Sequence, residues 1–285
     1  MVDLNSLQKR LRSLRKTLKG FQENPKPGAV HRLRSQTRKA EAAVRASGLD
    51  QKRNGHRLLK LLKSIGKAAG KVRDIDVLVG FASRLPTGAD PECLVALLEF
   101  LGSSRAHPVG NLRNILAKKQ KEIRRRLRRC SRIIEKHLSP SGSRIAGNIQ
   151  MSSNATAFSL QLESELRAWP ELSKGNLHSY RLKVKALRYT LQLDPESDSG
   201  FIQALGEVKD QIGRWHDWDI LSTVADKVLD HKSPCKITAQ IRHQVHDHLA
   251  KALSAAKVVS RHYSVSHAPH KNGRAHPSTP HPELK

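Results

Sequence analysis

The chain has 285 residues, 38% of them hydrophobic and only 4% aromatic, so its core must be built from Leu, Val, Ile and Ala, a composition that suits packed helices rather than sheets. Its 52 Lys and Arg against 25 Asp and Glu give a net charge of +27 and a pI near 10.6, a self-repelling excess that asks for an anionic partner: nucleic acid, an anionic membrane surface or another polyanion. Three cysteines without a CxxC pair exclude a disulfide frame, no run of apolar residues is long enough to span a membrane, and the start MVDLNSLQKR does not read as a signal peptide, so a cytoplasmic protein is expected.

From Leu4 the apolar positions Leu7, Leu11, Leu14 and Leu18 recur every three or four residues and predict a first helix, stopped by Gly20 and the NPKPG stretch. A second helix is expected over 29–46, closed by Ser47-Gly48, and a third over 52–83, bent near Gly66 or Gly70. Two more follow over 91–101 and 109–138, the latter carrying KEIRRRLRRCSR, whose charges lie all round except at Ile123, Leu127, Ile133 and Ile134. SPSGSR (139–144) reads as a linker. The series then restarts with helices over 151–169, 176–193, 199–229, with a break at Gly213, and 234–262. The Pro- and His-rich end (264–285), with His267, His270, His276 and His281, reads as a disordered tail. No alternating segment of convincing length predicts a strand, so the fold class is all-α.

The two series resemble each other. His31-Arg32-Leu33-Arg34 aligns with His178-Ser179-Tyr180-Arg181 at an offset of 147 residues, and Arg38 then meets Lys185. Farther on, GKVRDIDVL (70–78) aligns with GRWHDWDIL (213–221) at an offset of 143, both reading Gly-x-x-x-Asp-x-Asp-[Val/Ile]-Leu. Two motifs recurring in one order point to a duplicated helical bundle, with halves over 1–147 and 148–263 related by an approximate two-fold.

At about 100° per residue, His178, Arg181, Lys185 and Arg188 fall within an arc of about 80°, one stripe about 15 Å long beside the packed face of Val184, Leu187 and Leu191. His31, Arg34, Arg38 and Arg45 repeat the design, with Glu41 standing where the second half has Arg188. Like charges so spaced destabilise a helix unless an anion or carboxylates face them. Asp74, Asp76, Asp217 and Asp219 are candidates for holding the basic side chains in place. The alternative is an exposed basic face on an amphipathic helix, which two matching stripes headed by His make the weaker reading.

VHRLRSQTRK, GKVRDIDVLV, LHSYRLKVKALRY and ALGEVKDQIGRWHDWDIL together resemble the CHAD domain (conserved histidine α-helical domain), over nearly the whole chain to about His262. The resemblance implies two similar helical bundles about a pseudo-two-fold with a basic groove or pore between them, binding of inorganic polyphosphate, and association with polyphosphate granules. It carries over His31, Arg34 and Arg38 in the first half and His178, Arg181, Lys185 and Arg188 in the second, with Lys39, Arg73 and Lys183 as additions and Asp74, Asp217 and Tyr189 in support. SQTRKAE is less basic than the family's usual run after the first histidine, so the first stripe is expected to be the weaker. Glu163-Ser-Glu165-Leu-Arg167 lacks the Lys of the triphosphate-tunnel motif often fused to this family.

No Walker loop, His-Glu-x-x-His string or Cys/His zinc spacing is present, so neither an enzyme nor a metal site or other cofactor is expected. Sequence-independent nucleic-acid binding is the alternative function, since Lys and Arg contacts to phosphates are common to both. Against it stand the few aromatics, placed like core residues, and the lack of a zinc finger or helix-turn-helix pattern. The histidines, set among cations, are expected to be neutral in the empty site and to gain a proton when a polyanion arrives.

Overall fold

A computed structural model describes residues 3–86, 90–138, 143–229 and 235–265, and among them every long element is helical: α1 (Leu4–Lys19), α2 (Pro27–Ala46), α3 (Arg53–Ala82), α4 (Pro91–Ser104), α5 (Ala106–Leu138), α6 (Ser143–Arg167), α7 (Leu177–Leu191), α8 (Ser199–Val228) and α9 (Lys236–Val265). Most of the expected linker (139–142) and nearly all of the tail, with its four histidines, lie outside the described residues; Val265 still belongs to α9. No helix among the described residues is long and apolar enough to cross a membrane.

Local chemistry sets the ends. Asp3 caps α1 by accepting from the amides of Asn5 and Ser6 at 2.8 and 3.0 Å, and Lys16 and Lys19 face the negative end of the helix dipole in its last turn. α2 and α4 each begin with a proline, which gives up no helical hydrogen bond there. After α2 the chain turns through Gly48 at φ +67°, a left-handed conformation that glycine adopts without strain, into a short 3-10 turn (Leu49–Gln51).

The apolar stripe read from α1 is buried along its length, each leucine contributing roughly 2 kcal/mol. It joins α2, α3 and α5 around a first core, while α6, α7, α8 and α9 enclose a second. A third core joins the halves: Leu78 and Ala82 at the end of α3, Leu94, Leu97 and Leu101 of α4, Leu221 and Ala225 of α8, and Ile237 and Ile241 of α9. The outcome is therefore two helical bundles locked at one end by a shared apolar junction. Packing of α2 on α7 and of α3 on α8 brings the four segments that carry the duplicated motifs together.

One expectation fails. α8 runs helical through Gly213 without the break expected there, and α3 is likewise one continuous helix through Gly66 and Gly70. These glycines serve packing rather than interruption, as the site makes plain.

Candidate functional site: a cationic trough between α2 and α7

The basic edges of α2 and α7 meet at one cavity of about 290 Å³. His31, Arg34, Arg38 and Lys39 of α2 line it, Arg181, Lys185, Arg188 and Tyr189 of α7 face them, and Arg73 of α3 and Lys209 of α8 complete it. Eight Lys and Arg side chains thus surround a space whose lining holds a single carboxylate, Asp210.

The repeated glycines explain how the arginines are aimed. A Cβ on Gly213 would lie 2.7 Å from Arg181 Nη2, and one on Gly206 would lie 3.1 Å from Arg188 Nε. Without those atoms each guanidinium lies against the backbone of α8, where Arg181 Nε donates to the carbonyl of Lys209 at 2.9 Å and Arg188 Nε to that of Ile202 at 3.2 Å. In the first half Arg34 lies over Gly70 more loosely, with its Nε 3.6 Å from the Cβ position. The first motif's arginine and the second motif's glycine are therefore partners in both halves.

The paired aspartates divide. Asp74 accepts from Arg34 at 3.4 Å and lies 3.7 Å from Arg73, while Asp217, nearly buried, accepts from Arg73 at 3.2 Å across the two halves. Asp76 and Asp219 turn elsewhere, to Arg105 at 2.6 Å and Lys174 at 2.8 Å. The residue preceding each first aspartate also matches: the Arg73 charge reaches His31, and His216, its counterpart, packs on His178 with ring centroids 4.6 Å apart.

Burial and crowding depress the bases. Lys185 is pushed down to about 7, first by burial and then by Arg181, Arg34, Arg38 and Lys209. His31 is lowered by burial and then by Arg73, Arg34, Lys185 and Lys209; His178 by burial and then by His216 and Arg181. Lys39 falls below the usual lysine range through burial, Arg10 and Arg188. Burial likewise lowers Arg34 and Arg181, with Asp74 and Asp217 opposing it. An arriving anion relieves all of this repulsion at once.

Two residues read from sequence stand apart. His178 is exposed beside the cavity rather than in its lining, and Lys183 points away, paired with Glu165 of α6. Glu41 engages Arg38 at 3.5 Å, so the far end of the first stripe is partly neutralised, as its sequence suggested. Sequence reasoning missed Lys209 and Asp210, although both lie in the quoted ALGEVKDQIGRWHDWDIL segment, one turn before Gly213. Among the described residues one group has the donors for a metal ion, Asp90, Cys93 and Cys235, whose ligand atoms lie within 4.8 Å of one another. It is short of the four donors of a structural zinc site and contributes nothing to the trough.

Known proteins share this fold. The family model for the CHAD domain matches residues 5–226. The crystal structure of the CHAD domain from the plant Ricinus communis superposes with a TM-score of 0.63 at 16% identity, covering 92% of this chain and 90% of that one. PptA from Streptomyces chartreusis superposes with a TM-score of 0.60 at 14% identity, covering 92% and 97%. No curated protein matches the chain.

Proposed function

The chain belongs to the CHAD domain family, and from that premise we propose that it binds inorganic polyphosphate in the trough between α2 and α7. The supporting observation is the lining itself: among the described residues, eight Lys and Arg, one carboxylate, and Tyr189 as its single Phe, Tyr or Trp side chain. A polymer of phosphates without sugars or bases needs dense cations and little else, whereas single-stranded nucleic acid is held largely by stacked aromatics. Phe81, which stacks on Trp218, and Trp169, which meets Tyr180 edge-on, are not in the cavity lining, although Phe81 borders a neighbouring pocket that shares Arg73 and Arg181. Guanidinium groups clamp phosphate oxygens, Lys185 takes up a proton and adds its charge, and His31 follows at lower pH. The role is binding, not catalysis; recruitment to polyphosphate granules in the cytoplasm is part of the same proposal.

The test is a competition assay. Labelled long-chain polyphosphate bound to the protein is challenged with equal phosphate equivalents of duplex DNA and of RNA. Polyphosphate should be retained, and the double variant Arg181→Glu/Lys185→Glu should lose it by a factor above about 100 while remaining folded. Displacement by RNA at equal phosphate, or full retention in the double variant, would sink the proposal.

A further inference from the structure

The trough draws on both halves, yet the charge does not divide between them. Residues 1–138 hold 33 Lys and Arg against 11 Asp and Glu, so +22 of the chain's +27 lies there. Of those cations only Arg34, Arg38, Lys39 and Arg73 line the trough.

The helix α5 shows where many others go. Its exposed Lys118, Lys121, Arg125, Arg128, Arg132 and Lys136 fall within an arc of about 80°, and Arg129 widens it to about 100°. This row is about 27 Å long and lies opposite the fully buried Ile123, Leu127 and Ile134. Arg126 is the exception within the run: it is buried, and bonds Glu122 at 2.6 Å and Asn54 at 3.3 Å. The other carboxylate of α5, Glu135, is engaged by Arg12 and Gln8.

A second row runs beside the first. On α3, the exposed Arg53, Arg57, Lys60, Lys67 and Lys71 share an arc of about 80°. Asn54 Nδ2 donates to the carbonyl of Arg126 at 3.2 Å, and Lys119 Nζ to Ser64 Oγ at 3.0 Å, which sets the two helices antiparallel. α2 packs on α1 and α3, and each of these packs on α5, so α5 stands at the corner of the bundle diagonal to α2. The α5 row looks away from the trough, whereas Lys60, at the edge of the α3 row, also borders a pocket shared with Arg38 and Glu41 of α2.

We infer that the outer face of α3 and α5 is a second polyanion site, which takes the phosphate backbone of duplex nucleic acid without regard to sequence. Two cation rows on neighbouring helices, about 8–10 Å apart at their axes, match a stiff rod with phosphates on both sides of a groove. A single phosphate chain engages one such row at a time and is better enclosed by the trough. None of the exposed large hydrophobic side chains (Val95, Phe100, Leu160, Leu182, Val258) belongs to either row, so the face lacks what insertion into a membrane interface requires. It also lacks aromatics on which unpaired bases stack. The inference does not depend on which anion fills the trough.

Fluorescence anisotropy with a labelled duplex of about 20 base pairs and arbitrary sequence, measured over a salt series on the full chain, tests it. The variant Arg125→Gln/Arg128→Gln/Arg129→Gln/Arg132→Gln should bind duplex at least ~30-fold more weakly, with a salt slope shallower by about 3 to 4. Its polyphosphate affinity should stay within about threefold, while Arg181→Glu/Lys185→Glu should keep duplex affinity. Should the first variant fold poorly, Arg57→Gln/Lys67→Gln/Lys71→Gln carries the same expectation on α3. Duplex binding that survives both face variants, or that is lost with the trough variant instead, overturns the inference. So does a face whose loss weakens binding to phosphatidylglycerol vesicles but not to duplex. Failure of the trough reading would show separately, as polyphosphate binding indifferent to Arg181 and Lys185.

Discussion

Lys185 should make polyphosphate binding depend on pH in a window where ordinary lysines do not titrate. Burial among Arg181, Arg34, Arg38 and Lys209 holds its ammonium at about 7, so the empty site carries that proton in about nine molecules of ten at pH 6 and about one in ten at pH 8. A bound polyanion restores the charged form, so binding is coupled to proton uptake. Lys185 alone then lowers affinity about tenfold between pH 6 and pH 8, and about three-quarters of a proton is absorbed per site at pH 7.5. Isothermal titration calorimetry in buffers of different ionisation enthalpy reads both quantities. Lys185→Arg, which keeps its charge throughout, should flatten the profile above pH 7 and leave only the histidine contribution below it. In the empty protein the sign reverses. The unfolded chain binds the Lys185 proton more tightly than the folded one, so stability rises from about pH 7 toward 10.5 and is lost as pH falls through 7. Lys185→Met should therefore raise the melting temperature at pH 6 while weakening binding. A wild-type profile flat from pH 6 to 8, with no proton uptake, would refute this reasoning.

Two further outcomes follow from the packing. Gly213→Ala should displace Arg181, because its Cβ would lie 2.7 Å from Nη2, and weaken polyphosphate binding several-fold, whereas Gly70→Ala meets Arg34 at an ordinary 3.6 Å and should raise stability by up to about 1 kcal/mol with affinity unchanged. Equal effects of the two in binding titrations and thermal melts would contradict the seating of Arg181. Asp217→Asn removes the buried negative charge opposite Arg73 and one of the two oxygens that accept from it, and should cost about 1–3 kcal/mol of stability by denaturant unfolding; an unchanged midpoint would show that the Asp217 charge does not hold the arginine.

The helices were legible because their apolar positions keep helical spacing: Leu4, Leu7, Leu11, Leu14 and Leu18 all reached the core. Gly213 shows the limit of that signal. Gly213 read alone is a helix breaker, but the duplication already aligned it with Gly70, and a glycine kept at the same place in two copies marks close approach, here that of Arg181. Lys183 was separable on geometry, since it lies about 140° around α7 from His178 and so off the stripe. Lys209 was harder, because only the packing of α8 against α7 brings it to the cavity. The junction core of α3, α4, α8 and α9 joins segments far apart in the chain, and no local pattern announces such a meeting.

The most direct measurement is the structure of the protein with a long polyphosphate chain bound. Density should run between α2 and α7, with phosphate oxygens within hydrogen-bonding distance of Arg34 or Arg38 on one side and of Arg181 or Lys185 on the other. A chain held by only one of the two helices, or lying on an outer surface with the trough empty, would contradict it.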